Sequence, residues 1–208
     1  MIGTGDFMEK RDNYKTQADQ AKACFLTYDQ EKLIAKLHLE ADEDHLYPRL
    51  LGRKYRLCRR TGNLEKWVNT WQDGNSFEEV MTLLDLVCDS REDRCLSGNW
   101  KQMRDFGLMF HRSLLEGRDE WAEFFDRNPA GLRSACEALG GTPLPQGDIA
   151  YAIELFDGLK IALQFWRGDE EFPPRLRLLW DENALQYIKY ETMYFARSLL
   201  LHRIEELM

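Results

Sequence analysis

The acidic segment at residues 168–174, GDEEFPP, comes closest to a chemical site by residue type and spacing. Asp169, Glu170 and Glu171 follow one predicted strand, and two prolines stiffen the connection to the next. Carboxylate oxygens on a rigid turn suit a hard cation or a basic partner. A solvated connector is the alternative, because acidic loops rich in glycine and proline commonly join strands. The candidate ligand-binding residues are Arg167, Asp169, Glu170, Glu171 and Asp181.

A second concentration of charge lies between Arg49 and Lys66, with seven basic residues against one acid. It would attract an anionic partner, whether a phosphorylated cofactor, a nucleic acid or an acidic protein surface. Tyr47 and Tyr55 would be placed to stack on a base. The alternatives are a charged edge strand that resists aggregation and pairing with acids of the same chain. The candidate residues for an anionic partner are Arg53, Lys54, Arg56, Arg59 and Arg60.

The histidines and cysteines do not have the spacing of a catalytic or metal site. Four histidines are far apart, and five cysteines are scattered without a CxxC pair. The acidic run around His45 predicts a solvated loop, because nothing in its spacing orients the carboxylates towards one point. Dinucleotide, Walker, HExxH and GxSxG motifs are also missing from the sequence. The histidines and cysteines therefore predict no metal site, and the sequence does not identify a cofactor.

Length and composition predict a folded α+β protein. The chain has 208 residues, of which 44% are hydrophobic and 31% charged, enough for one domain with a substantial core. The net charge of −8 disfavours a dominant nucleic-acid role, since neutralisation of phosphates drives such binding. No apolar run approaches the roughly 18 residues of a membrane span, and the start lacks a signal-peptide core. We therefore expect a cytoplasmic single domain over residues 1–208, with a subdivision near residues 142–147 as the alternative.

Residues 147–181 have the clearest pattern, which predicts three antiparallel strands. A three-residue loop of Phe156, Asp157 and Gly158 with a bulge gives one apolar face, whereas a two-residue turn would leave neither face clean. A long terminal helix over residues 183–207, capped by Asp181, is then expected to cover that face. The predicted strand pairs are Ile149–Phe165, Tyr151–Leu163, Ile153–Ile161 and Leu155–Leu159, and the predicted helix stripe is Leu185, Ile188, Phe195 and Leu199.

The first two thirds of the chain are expected to be mainly helical. Capping signals at Asp29, at Ser76 with Glu79, and at Asn128 predict helix starts. A short basic β-ribbon is expected over residues 46–68, a helix at residues 111–116, and no clear element at residues 101–110. The predicted fold class is α+β, with a helical N-terminal two thirds containing the ribbon, then a C-terminal antiparallel β-meander packed by the long terminal helix.

Several blocks of the chain resemble a bacterial and archaeal family known as domain of unknown function family 3786. The resemblance is carried by Phe165-Trp166, the block GDEEFP at residues 168–173 and the strand that ends at Trp180-Asp181. Weaker similarity extends to LGRKYRL, SGNWKQMRDFG and LGGTPLPQGD. The resemblance implies no assigned activity, but members are typical of anaerobes and suggest an association with redox or corrinoid metabolism. Some carry an iron–sulfur module, which this sequence does not contain.

These observations favour a cytoplasmic, non-catalytic binding or accessory module that recognises a protein partner or an anionic ligand, linked to anaerobic redox metabolism. The alternative is an enzyme or metal-binding protein with a carboxylate site at the GDEEFP loop. Carboxylates that converge in a pocket with His111 or Arg167 would favour that alternative, and carboxylates that splay into solvent the first hypothesis. Nucleic-acid binding by the ribbon, a third class, predicts binding that collapses steeply with added salt.

Overall fold

The structure, a computed structural model, describes residues 4–106 and 120–208. Helices and strands occur throughout both ranges, so the fold is broadly α+β. The expected helical N-terminal two thirds with only a short ribbon is wrong. Residues 40–73 form strands that pair into a complete sheet, and a 16-residue helix lies in the last third. The helix expected at residues 111–116 lies outside the described residues.

Two helices begin at the capping residues that the sequence indicates. Asp29 accepts a hydrogen bond from the N–H of Lys32 at 3.3 Å, and Asn128 accepts one from the N–H of Gly131 at 2.9 Å. Such acceptors satisfy N–H groups that the first helical turn leaves without partners. The described helices are α1 (Thr4–Phe25), α2 (Gln30–Leu37), α3 (Phe77–Asp89), α4 (Glu120–Asp126), α5 (Pro129–Ala138) and α6 (Tyr190–Glu205).

Helix α3 is buried on nearly all sides because α1, α2 and α6 pack against it. At its start, the hydroxyl of Ser76 accepts a hydrogen bond from the N–H of Glu79 at 3.2 Å, which confirms one half of the predicted capping box. The Glu79 carboxylate instead accepts from the Ser76 hydroxyl at 2.8 Å and from side chains of the first sheet. Helix α3 thereby carries two buried acids, Glu79 and Asp85, into the interior.

The first sheet is antiparallel and lies within residues 40–73. Its strands are β1 (Glu40–Ala41), β2 (His45–Tyr47), β3 (Arg49–Leu50), β4 (Arg53–Cys58), β5 (Leu64–Val68) and β6 (Thr70–Asp73). Strand β4 pairs with β2, β3 and β5. Because side chains alternate along a strand, the buried Tyr55 points inward and the neighbouring Arg56 lies on the outer face. On the same face Trp67 of β5 lies opposite Trp71 of β6.

A two-residue turn of Leu51 and Gly52 joins β3 to β4. Both residues have positive φ, 49° and 71°, which glycine adopts freely and leucine rarely. Leu51 is only 4% exposed, and its N–H donates a 2.9 Å hydrogen bond to the carbonyl of Leu155 in the second sheet. The turn therefore fixes the start of β4, which carries Arg53 and Lys54, against the rest of the molecule.

The second sheet contains the predicted meander and two short edge strands. Its strands in the described ranges are β7 (Trp100–Lys101), β8 (Thr142–Pro143), β9 (Ile149–Phe156), β10 (Leu159–Trp166) and β11 (Arg175–Asp181). They lie in the order β7-β11-β10-β9-β8. The predicted register of β9 with β10 is confirmed from Ile149 opposite Phe165 to Ile153 opposite Ile161. Both central strands are buried on both faces, not on one.

The turn between β9 and β10 differs from the prediction. Asp157 and Gly158, with φ of 48° and 81°, form a two-residue turn, so the predicted three-residue loop is wrong. The predicted Leu155–Leu159 pair is also wrong, since Leu159 lies opposite Phe156. The register of the other three predicted pairs is nevertheless as expected, because Leu155 is an extra residue on β9. This β-bulge offsets the shorter turn. The carbonyl of this extra residue is the acceptor for the N–H of Leu51.

The terminal helix starts later and packs differently than expected. A short 3₁₀ turn (Ala184–Gln186) precedes α6, and the predicted stripe residue Leu185 lies in that turn with 41% of its surface exposed. The most extensive packing of α6 is with α3 and α5, while α4 contacts β11 and α5 contacts β9. The predicted packing of the terminal helix on the meander is therefore wrong. Helices α4 and α5 contact this sheet in the place where α6 was expected.

The two sheets and the helices share a continuous cluster of buried side chains. Trp180 on β11, Phe125 on α4 and Leu57 on β4 are fully buried members of it. Across residues 4–106 and 120–208, no helix is both long enough and apolar enough to cross a membrane.

Candidate anion-binding cleft

The GDEEFP loop uses its first carboxylate to hold its own backbone. Asp169 accepts hydrogen bonds from the N–H groups of Glu171 at 2.9 Å and Phe172 at 2.7 Å. These donors lower the pKa of Asp169, Phe172 contributing most. The side chains of Asp169, Glu170 and Glu171 are exposed. Arg167 lies beside this loop, with its Nε 3.6 Å from Oδ1 of Asp126.

Asp181, the fifth candidate of the acidic set, lies at the opposite end of β11 and is buried. Its carboxylate accepts hydrogen bonds from the backbone N–H groups of Ser97 (3.0 Å), Gly98 (2.8 Å) and Asn183 (2.8 Å). Burial alone would raise the pKa of Asp181, but these donors outweigh it and leave the pKa below its usual value. The structure therefore does not bring the five acidic-site candidates together, because β11 separates them by about 20 Å at ~3.3 Å per residue.

Each candidate residue of the basic ribbon has an acidic partner within the chain. Arg56 makes two hydrogen bonds to Glu65, of 2.6 and 2.9 Å, and Arg53 reaches Glu206 after the end of α6 at 2.7 Å. Internal pairing therefore offsets much of the ribbon charge. The ion pairs are Arg53–Glu206, Lys54–Glu40, Arg56–Glu65, Arg59–Glu31 and Arg60–Asp44.

A positively charged cleft nevertheless remains beside the ribbon, with a volume of about 550 Å³. It lies between the β3–β4 turn, the β5–β6 hairpin and the last turn of α6. Among the described residues that line it, four are cationic and none is acidic. Such a cleft raises the local concentration of anions. Its lining residues are Arg49, Gly52, Arg53, Lys54, Trp67, Trp71 and Arg203.

Two of the cleft arginines are held by one carboxylate. Glu206 pairs with Arg53 at 2.7 Å and with Arg203 at 2.9 Å. Burial would raise the pKa of Glu206, but the two guanidinium groups outweigh it and lower the pKa. A single negative charge thus faces two positive charges that are fixed on different elements, β4 and α6.

Aromatic rings form the other wall of the cleft. The rings of Trp67 and Trp71 are 5.2 Å apart and nearly perpendicular, at 71°. The guanidinium of Arg56 lies 4.7 Å from the Trp71 ring centre, and Lys54 lies 4.6 Å from that of Tyr47. Trp67 keeps 48% of its surface exposed. Its indole is therefore the open aromatic surface of the cleft.

The predicted stacking residue Tyr55 does not take part in this wall. It is buried, and its hydroxyl donates to Glu79 at 2.9 Å, beside a Lys66 ammonium that also lies 2.9 Å from Glu79. Burial, followed by the Glu79 charge, raises the pKa of Tyr55. A smaller cavity of about 290 Å³ adjoins this network and shares Arg53 and Arg203 with the cleft.

The charge pattern of the sequence indicated Arg53 and Lys54 as binding residues, but it did not indicate Trp67, Trp71 or Arg203 of the cleft. The two tryptophans lie on either side of a turn at Asn69, which has φ of 61°. A predicted hairpin centred on Asn69 would have placed Trp67 opposite Trp71. No local signal points to Arg203, because it comes into place only through the packing of α6.

A second polar cluster lies in a groove of about 390 Å³ between α1, α3 and the start of α6. The buried Asp85 accepts a hydrogen bond from the N–H of Lys189 at 2.8 Å, and the Lys189 ammonium pairs with Asp89. Tyr28 donates its hydroxyl to Asp89 at 2.5 Å. Burial, more than any neighbour, raises the pKa of Asp85. The cluster thus joins α3 to the start of α6 and to the connection between α1 and α2. Within the described parts of the chain, no group of three or more metal-ligating side chains converges.

Comparison with protein families agrees with the resemblance seen in the sequence. The family described as domain of unknown function (DUF3786) matches residues 29–203, which is most of the chain. The chain belongs to this family. No curated protein and no solved structure shows a match.

The sequence blocks that carry the DUF3786 resemblance fall at turns of this fold. LGRKYRL contains Gly52, Arg53 and Lys54 of the cleft. SGNW forms the turn that Asp181 holds. In GDEEFP, a Cβ at Gly168 would lie 2.8 Å from Cδ of Pro174, so only glycine fits there without displacing the proline.

Proposed function

We propose that the protein is a cytoplasmic, non-catalytic binding module that holds a small anionic ligand in the cleft between the β3–β4 turn and the end of α6. The observation that carries this proposal is the charge of the cleft, where four cationic lining residues face two paired carboxylates, Glu206 and Glu40, so the positive charge is in excess among the described residues. Five free cysteines fit a reducing compartment. A link to anaerobic redox metabolism, suggested only by the company that family members keep, is part of the same proposal.

The geometry supports a built site more than a chance concentration of charge. Leu51 holds the β3–β4 turn in a rarely adopted conformation, and Arg53 and Arg203 are fixed by Glu206 before any ligand arrives. Groups that are already ordered lose little entropy on binding. The cavity volume also falls within the range of about 300–1,000 Å³ for small-molecule sites.

Titration calorimetry with inorganic pyrophosphate tests the proposal. We expect saturable binding that weakens as salt is added, because screening reduces charge attraction. Arg53→Gln should weaken binding about 10-fold or more, since a charge-assisted hydrogen bond contributes about 1.5–3 kcal/mol. Arg60→Gln is the matched control, because Arg60 pairs with Asp44 and does not line the cleft.

Gly52→Asn provides a test that changes no charge. A Cβ at Gly52 meets nothing within 4 Å, so the new side chain would extend into open space in the cleft. Asparagine tolerates the positive φ of 71° better than other residues do. Loss of pyrophosphate binding in Gly52→Asn with an unchanged melting temperature would support the proposal. Absence of saturable binding to the wild type, or equal weakening by Arg60→Gln, would refute it.

A further inference from the structure

The aromatic wall of the cleft extends the proposed function to a class of ligand. Trp67 and Trp71 lie opposite each other on the outer face of the first sheet. Arg56 already stacks over Trp71 at 4.7 Å, and the Tyr47 ring lies 6.3 Å from it. Trp67 contacts Trp71 but is still about half exposed. The cleft thus presents a large indole surface that is available for another ring.

The cations and this indole line the same cavity from opposite elements. Arg49, Gly52 and Arg53 come from the β3–β4 region, and Arg203 comes from α6, whereas the two indoles come from the β5–β6 hairpin. A simple inorganic anion would use only the cationic side. An uncharged flat molecule would use only the indole side. A molecule with both parts uses the whole lining.

We propose that the ligand joins a flat aromatic ring to phosphate groups, as a nucleoside diphosphate does, with its ring against Trp67 and its phosphates near Arg53 and Arg203. This inference rests on the proposed anion-binding function. The cavity of about 550 Å³ is large enough for a molecule of this size. Every base has a π-face, so stacking on the indole recognises a ring without selecting one base. Arginine forks match the geometry of phosphate oxygens.

An acidic peptide is a less suitable occupant. Its carboxylates would satisfy the cations, but it would leave the Trp67 surface without a ring partner.

Three probes separate the parts of the proposed ligand: ADP, pyrophosphate and adenosine, titrated at one salt concentration without added metal. ADP should bind at least about 10-fold more tightly than pyrophosphate, because stacking on an aromatic side chain contributes about 1–3 kcal/mol per base. Adenosine should bind most weakly of the three. An oligoglutamate peptide serves as the fourth arm and should bind more weakly than ADP.

Trp67→Leu identifies the ring contact. The variant should bind ADP only as tightly as pyrophosphate, while its affinity for pyrophosphate stays within about twofold of the wild type. Trp100→Leu is the control, because Trp100 is a similarly exposed indole, 37%, on β7 of the other sheet. It should change neither affinity.

The outcomes distinguish this inference from the proposed function. If pyrophosphate binds and ADP binds no better, or if Trp67→Leu leaves ADP affinity unchanged, the ring contact is refuted and anion binding stands. If oligoglutamate binds more tightly than ADP, the ligand class is refuted in favour of a protein partner. If neither ADP nor pyrophosphate binds, both proposals fail.

Discussion

The carbonyl of Leu155 accepts a 2.9 Å hydrogen bond from the N–H of Leu51, and this bond joins the two sheets. Each residue is irregular in its own hairpin. Leu155 is the bulged residue of β9, and Leu51 has a positive φ that leucine rarely adopts. A bulge leaves a residue outside the regular strand pairing, so its carbonyl is available to another segment. The N–H of one irregular residue and the carbonyl of the other are therefore each other's hydrogen-bond partners.

Hydrogen exchange of the Leu51 amide tests this connection. An amide in an ordinary exposed turn exchanges through small local openings, whereas this one should exchange only when the sheets separate. We expect the Leu51 amide to be protected about as strongly as amides in the centre of β10. The exposed neighbour Gly52 is the internal reference. Equal exchange rates at Leu51 and Gly52, measured by NMR, would contradict the connection.

Glu79→Leu should destabilise the fold strongly. The Glu79 carboxylate is buried and accepts from Tyr55 and Lys66, both at 2.9 Å. Its removal takes this acceptor from the buried Tyr55 hydroxyl and from the partly exposed Lys66 ammonium. We expect a loss of about 2–4 kcal/mol in the free energy of unfolding, below the full cost of a broken buried pair because Lys66 is partly exposed. Glu78→Leu, one position away, should cost less than about 1 kcal/mol in the same urea titrations.

Asp181→Asn should cost more stability than Asp169→Asn, and its cost should depend on pH. The fold lowers the pKa of Asp181, so its stabilising contribution is present above about pH 4, the unfolded value, and is lost as the pH falls through the folded value. The gap in unfolding free energy between wild type and Asp181→Asn should therefore narrow below about pH 4. A gap that stays constant between pH 3 and pH 7 would show that the charge of Asp181 is not what holds the Ser97-Gly98 turn.

Asp85→Asn should show the opposite pH trend. Burial raises the pKa of Asp85 above the unfolded value, so folding favours its protonated form. The contribution of Asp85 is full below about pH 4 and is lost as the pH rises through the folded value. The stability of Asp85→Asn relative to wild type should thus improve as the pH rises from about 4 to 7. Thermal unfolding at several pH values measures this, and a relative stability that falls with rising pH would exclude the raised pKa.

The alternation of apolar and polar side chains predicted the β9–β10 register, because a shift of one residue would move every apolar side chain to the opposite face of the sheet. The type of turn between β9 and β10 was not predictable from the sequence of these two strands. The choice between a three-residue loop and a two-residue turn with a bulge depends on Leu51, about 100 residues earlier in the chain, which provides the donor for Leu155. Local pattern fixes which residues face the core, and a distant partner decides how the chain turns.

The predictions of the terminal helix and of the cleft were wrong or incomplete for a related reason. The predicted stripe contains Phe195 and Leu199, whereas the buried residues of α6, which include Met193, Leu200 and Ile204, lie on another face. The main packing partners of the helix are α3 and α5. The cationic part of the cleft was visible as a run of charge, whereas Arg203 lies 150 residues after Arg53. The i,i+3 spacing of Arg203 and Glu206 is compatible with their pairing, but no spacing indicates that Arg53 shares the same carboxylate.

Glu206 also limits the positive charge of the cleft. Because one carboxylate neutralises part of the charge on Arg53 and Arg203, these two guanidinium groups lie close together without being unopposed. If the cleft binds an anion as proposed, competition from Glu206 for the two arginines would favour multiply charged ligands over singly charged ones.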